Sequence, residues 1–241
     1  MIIDLHVHHT LGPEPRTDFA AMRRLKGLAK QVGINRVCLL GNVFRFGIRA
    51  NDSQIRLIND STLELVRADG DFLSGFCFLN PALGSGFLRG EIRRCAREGL
   101  CGIKLEIDVN ARDRRLEDER GMYPAMQVAG VEVDEVVSLA ASVPQLPIIA
   151  LCPYLAEARQ LARRTRNVCV DLAHIEAPDT VKTALSEIPA DRLMFGSHTP
   201  FLCTNAEVMK LQSANVAARD LRRVAEGNAR RVLSKHRLDV R

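Results

Sequence analysis

Apolar runs of strand length alternate with amphipathic segments of helical period along almost the whole of the 241-residue chain. This alternation predicts a parallel sheet flanked by helices, because parallel neighbours need long crossovers and a helix is the usual one. Strands are expected at 2–7, 35–40, 72–79, 101–107, 128–133, 146–152, 167–173 and 192–196. Helices are expected between them at 18–31, 53–68, 87–98, 134–141, 155–164 and 178–187, with 206–211 and 216–233 closing the chain. Gly33 and Gly99 end the first and third helices, and Asp52 or Ser53 is the expected N-cap of the second. Eight such units in a chain near the roughly 250 residues of a (β/α)8 TIM barrel predict one α/β barrel domain over 1–241. An open doubly wound sheet would show a glycine-rich turn after strand one, whereas the turn here is Leu11-Gly12-Pro13-Glu14-Pro15. The charged segment 110–121 leaves the fifth unit shortened or distorted.

Composition narrows the function more by exclusion than by assignment. The balance of 34 Lys and Arg against 29 Asp and Glu gives +5, spread through helices, with two Tyr and no Trp. Nucleic-acid binding would call for a concentrated basic stripe with stacking aromatics, so no nucleic-acid partner is expected. No run approaches the roughly 18–20 apolar residues that span a bilayer, and Met1 to His9 carries Asp4 and three histidines where a leader would be cationic. A cytoplasmic protein without a membrane partner is expected. Seven cysteines without CxxC spacing, mostly inside apolar runs, read as core residues with no disulfide framework.

The histidines carry the functional signal. Five of six, His6, His8, His9, His174 and His198, fall at or just beyond the carboxyl ends of predicted strands one, seven and eight. In a parallel barrel those ends open on one face, where such folds do their chemistry. Strict alternation along strand one puts Asp4, His6 and His8 on its inner face and His9 on the other side, as a supporting or surface residue. Three buried polar side chains in a row need partners, which a metal ion supplies. His198, at the end of the strand next to strand one, is a candidate ligand or general base. Cys152 ends strand six and offers a thiolate, and His174 is a weaker candidate. Strand four alternates Lys104, Glu106 and Asp108 with apolar residues, so its polar face is expected to point inward, with Glu106 as ligand or base. Arg45 and Arg49, after strand two, and Lys104 are candidates for holding a substrate carboxylate.

Six stretches, in this order, resemble the amidohydrolase superfamily of metal-dependent barrels, in the branch that includes aminocarboxymuconate-semialdehyde decarboxylase. They are Ile3-Asp4-Leu5-His6-Val7-His8, Phe78-Leu79-Asn80-Pro81, Gly102-Ile103-Lys104-Leu105, Asn167-Val168-Cys169-Val170-Asp171, Asp191-Arg192-Leu193-Met194-Phe195-Gly196-Ser197 and Gly227-Asn228-Ala229-Arg230-Arg231-Val232-Leu233. The resemblance implies that the HxH pair binds a divalent metal, usually zinc, together with a strand-five histidine and a strand-eight aspartate, with a further histidine on strand six near the water or substrate. His6 and His8 match that pattern. The aspartate position falls on His198, the strand-six histidine on Cys152, and the strand-five segment holds no histidine.

The resemblance implies a hydrolase of carbon–nitrogen, ester or lactone bonds, or a decarboxylase, acting on a small anionic molecule with a metal-activated water. His and Cys donors favour zinc over magnesium, and His198 would stand in for the carboxylate as base. Two alternatives stay open: a barrel that binds a ligand without turnover, and a phosphoesterase of the polymerase-and-histidinol-phosphatase kind, which shares the Asp4-Leu5-His6-Val7-His8 opening. The resemblance to barrels of this kind is also compatible with a homodimer.

Overall fold

The computed structural model describes residues 1–9, 11, 16–41, 46, 50–106, 126–129 and 132–235, without the side chains of 106, 126–129, 234 and 235. The strands are β1 (Ile2–His8), β2 (Ile34–Leu40), β3 (Leu73–Gly75), β4 (Cys77–Phe78), β5 (Ile103–Glu106), β6 (Met126–Ala129), β7 (Ile148–Ala150), β8 (Val168–Asp171) and β9 (Leu193–Met194). Between and after them lie α1 (Phe19–Gln31), α2 (Asp52–Ala68), α3 (Ser85–Glu98), α4 (Val133–Ser142), α5 (Leu155–Arg164), α6 (Thr180–Glu187), α7 (Thr204–Gln212), α8 (Ala218–Arg222) and α9 (Asn228–Lys235). Every strand pairing is parallel, in the orders β1-β2-β3 and β4-β5-β6-β7-β8-β9. Leu5 N–H donates to the Phe195 carbonyl (3.1 Å) and His8 N–H to that of Thr199 (2.7 Å), so β1 also lies beside the chain that follows β9. No helix among the described residues is long and apolar enough to cross a membrane.

Two apolar clusters occupy opposite faces of the strands. The larger, including Val7, Val37, Leu39, Ile103, Leu105, Val168 and Val170, packs against the helices. The smaller, Ile3, Leu5, Cys38, Leu40, Phe76, Ile149, Leu151, Cys169 and Met194, fills the inner face, where Ala229 and Val232 of α9 join it. Period-two alternation sorts the residues between them.

Several boundaries differ from the sequence expectation. The predicted third strand breaks at Phe76, whose N–H bonds the Leu39 carbonyl (3.0 Å), while Cys77 N–H turns to Gly102 (2.8 Å). A Cβ on Gly102 would sit 2.8 Å from the Phe76 ring, so a side chain there would displace it. The fifth strand lies at Met126–Ala129 rather than 128–133, because Val133 opens α4 with Glu132 as N-cap and Asp134 and Glu135 in the first turn, where acids oppose the helix dipole. Asn51, not Asp52 or Ser53, caps α2, exchanging hydrogen bonds with Gln54 in a capping box. The single helix expected at 216–233 is α8, a π turn over Arg223–Gly227, and α9; Phe195 N–H bonds the Val224 carbonyl of that turn (3.1 Å).

The largest correction concerns β1. Its pairing with β2 slips between Asp4 and Val7, as at a β-bulge, which reverses the alternation. Ile3 and Leu5 face inward before the slip, whereas His6 and His8 face inward after it. Asp4 therefore points to the helix side, beside Leu25, Leu28 and Ala29 of α1, and not into the row with His6 and His8. His9 is no surface residue but is buried against α2. Thr62 Oγ1 donates its one proton to the Ile58 carbonyl (3.0 Å), so the 2.7 Å contact is His9 Nε2–H donating to Thr62 Oγ1.

Burial lowers the pKa of His9 from 6.5 to about 4. The unfolded chain therefore takes up this proton first, and stability is lost as pH falls from 6.5 toward 4, by about 2 kcal/mol at pH 5. Urea unfolding of the His9→Phe variant should show a drop between pH 8 and pH 5 smaller by that amount than the parent protein; identical drops would rule this out.

Candidate metal centre

The inward turn of β1 after the slip sets His6 and His8 near His198, in the segment after β9. His6 Nε2 and His8 Nε2 are 3.0 Å apart, and the ring of His198 stacks on that of His6 at 4.4 Å, 28° from parallel. One ligand nitrogen from each of the three lies within 4.8 Å of the others. His6 and His8 are buried, and His198 is half-buried. Asp4 holds the segments in place from the opposite face: its Oδ1 accepts from the His6 N–H (3.1 Å) and the Ser197 N–H (2.9 Å).

Asp171, at the end of β8, is the site residue the sequence reading missed as a candidate. Its Oδ2 lies 2.6 Å from His6 Nδ1, and its Oδ1 accepts the Cys152 N–H (2.8 Å). Its signal was the one that marked strand one: a polar residue ending an apolar strand, Val168-Cys169-Val170-Asp171. The close approach depends on Gly196, where a Cβ would sit 2.8 Å from both Asp171 Oδ2 and His6 Cβ.

Electrostatics keep the imidazoles neutral. Burial pulls His6 and His8 well below 6.5, helped by neighbouring imidazoles and the Lys104 cation. His198 is lowered by burial first, with Asp171 opposing and His174 and Lys104 adding. Burial raises Asp171 to about 6 and Asp4 to about 7. At neutral pH His6 thus donates Nδ1–H to the Asp171 carboxylate, which leaves a lone pair on Nε2.

Those observations test the site for a cation. Zinc bonded to nitrogen at about 2.0–2.1 Å in a tetrahedron spaces its nitrogens about 3.3 Å apart, close to the His6–His8 separation. A ligating histidine commonly donates its other N–H to a carboxylate, as His6 does. The residues fit a divalent ion.

The other expected site residues fall in different places. Lys104 is fully buried on the inner face of β5, between the helix-facing Ile103 and Leu105, and its Nζ donates to the Leu105 carbonyl (2.9 Å). Cys152 Sγ is 3.5 Å from His198 Nδ1 and 3.8 Å from His6 Nδ1. It gathers with His174 and His198, and separately with His6 and Asp171. Glu106 ends β5, and its side chain lies outside what is described; Arg45, Arg49 and Asp108 lie outside the described residues. All seven cysteines are free.

A family model described as Amidohydrolase matches residues 3–235. The chain belongs to the amidohydrolase family. No curated protein matches it. Among solved structures this amidohydrolase is similar to 5-carboxyvanillate decarboxylase LigW from Sphingomonas paucimobilis, with TM-score 0.76 and 16% identity over 97% of this chain and 98% of that one. It is also similar to 2,6-dihydroxybenzoate decarboxylase from Rhizobium, with TM-score 0.70 and 16% identity over 97% and 98%. A third likeness is to a probable 2-pyrone-4,6-dicarboxylic acid hydrolase from Acinetobacter baumannii with citric acid bound, with TM-score 0.67 and 11% identity over 97% and 99%. At these identities the likeness is one of fold.

Asp171→Asn should weaken binding of a divalent metal by about 10–100-fold, because it removes the carboxylate that orients His6; chelator competition measures this, and unchanged affinity would discount the pairing. Gly196→Ala should cost about 1–3 kcal/mol through overpacking, read from its urea midpoint. A variant as stable as the parent protein would show that the clash is relieved elsewhere.

Proposed function

We propose that this amidohydrolase is a metal-dependent hydrolase or decarboxylase of a small anionic molecule, built as one (β/α)8 barrel domain with a short fifth strand. The observation that carries the reading is the convergence of His6, His8 and His198, with neutral rings and with His6 oriented by Asp171. The barrel is supported by the bonds between β1 and the chain after β9, by the separate inner core, and by a fold shared with decarboxylases and hydrolases. The names of those relatives denote carboxylated substrates, which fits an interior holding the Lys104 cation. The free thiols fit a reducing compartment.

His6, His8 and His198 would hold the ion, with imidazole donors suiting zinc. A divalent cation there supplies Lewis acidity and acidifies water. Ligation takes His198 out of the role of base: a neutral ring with one nitrogen on a cation keeps its hydrogen on the other and donates. The proton given up by that water would pass to His174, half-buried, with its ring 5.4 Å from that of His198. From its buried position the Lys104 charge would attract the anionic group of the substrate, and it also helps keep the three ligand imidazoles unprotonated.

The test combines metal analysis with turnover. Protein purified in zinc should hold about one equivalent by mass spectrometry, lost in His6→Ala and His8→Ala, and should turn over a member of a panel of aromatic carboxylates, lactones and amides. Treatment with a chelator should abolish that turnover, and zinc should restore it. Absence of bound metal in the parent protein would sink the proposal. Bound metal with no turnover across the panel, but with saturable binding of a carboxylate, would point to a ligand-binding role.

A further inference from the structure

Cys152 and His174 stand together at the edge of the proposed centre, outside the set of three imidazoles that would hold the ion. Cys152 follows β7 and His174 follows β8, so each leaves the end of its strand on the side where His198 leaves β9. Cys152 Sγ, a nitrogen of His174 and a nitrogen of His198 lie within 4.8 Å of one another, and all three residues are half-buried. The ring of His174 is tilted 56° to that of His198 at 5.4 Å. Backbone geometry singles out the same place. Among the described residues, Cys152 and His198 are two of the three non-glycine residues with positive φ, at 55° and 53°, and such conformations are costly and tend to gather where a side chain must be aimed.

The geometry points to a second cation seat, formed by Cys152, His174 and His198, that takes a thiophilic divalent ion such as cadmium. A tetrahedral ion with nitrogen at about 2.0–2.1 Å and sulfur at about 2.3 Å holds the two about 3.6 Å apart. Cys152 Sγ and His198 Nδ1 are 3.5 Å apart. On binding, the Cys152 thiol releases its proton to solvent and the thiolate becomes the ligand.

The inference rests on the proposed inner seat in one respect: both seats use His198. A neutral imidazole has a single lone pair, so an ion in the outer seat removes His198 from the inner one. It also occupies His174, the proposed proton carrier. A softer cation is drawn outward by the thiolate, whereas the all-nitrogen inner seat has no sulfur to offer. Occupation of the outer seat would therefore inhibit the enzyme.

Cadmium titration of the whole protein, followed by the thiolate-to-cadmium charge-transfer band in the ultraviolet, tests the seat. The parent protein should develop the band at about one equivalent. Cys152→Ser should lose it, and His174→Ala should weaken cadmium binding by about 10–100-fold. The double variant His6→Ala/His8→Ala should keep the band, because neither residue belongs to the outer seat. As a measurement free of folding effects, cadmium should slow alkylation of Cys152 by iodoacetamide in the parent protein by about tenfold or more, read by peptide mass spectrometry. No band in the parent protein, a band unchanged in His174→Ala, or a band lost in the His6/His8 double variant would overturn the second seat. Zinc that still depends on His6 and His8 would then leave the proposed inner centre standing. Zinc independent of both would remove the inner centre, whatever the cadmium band shows.

Discussion

A single buried carboxylate, Asp4, ties together the parts of the chain on which the site depends. Its Oδ1 receives the N–H groups of His6 and Ser197, so it secures the slip in β1 and the segment after β9 at once. Without the slip, β1 would alternate regularly from Ile3 and Leu5, and His6 would turn to the helices. Without the Ser197 bond, the segment carrying His198 would lose a tie to β1. Burial raises Asp4 to about 7, and the two N–H donors partly offset that cost.

On the opposite face a cation, a carboxylate and three imidazoles lie close together. Burial penalises any charge there, and Lys104 already supplies a positive one. The imidazoles are consequently held neutral, the state in which they can offer lone pairs. Asp171 decides which nitrogen of His6 keeps the hydrogen. Gly196 makes that arrangement sterically possible, because its missing side chain leaves the space in which Asp171 and His6 meet.

The fold was largely legible because alternation of apolar and amphipathic segments is a local property of neighbouring residues. It located β1, β2, α1 and the run from β7 to α6 to within a few residues. It failed where tertiary pairing set the boundary: at Phe76, where the chain changes partners, and at Val133, which the first turn of α4 claims. HxH and the histidine after the last strand were legible because polar residues at apolar strand ends stand out. Asp171 stood in a quoted stretch with the same signature, yet its partner, His6, is 165 positions away.

The chain's own order of residues was sufficient for the parallel α/β architecture, the gathering of histidines at strand ends and the likeness to amidohydrolases, since each follows from short-range pattern. Which side chains meet was decided only in three dimensions. A one-residue slip in β1 reverses the faces of every residue after it, and no periodicity records such a slip. The same holds for the pairing of His6 with Asp171 and of Cys152 with His198, because those distances arise from strands brought side by side by hydrogen bonds between remote backbones.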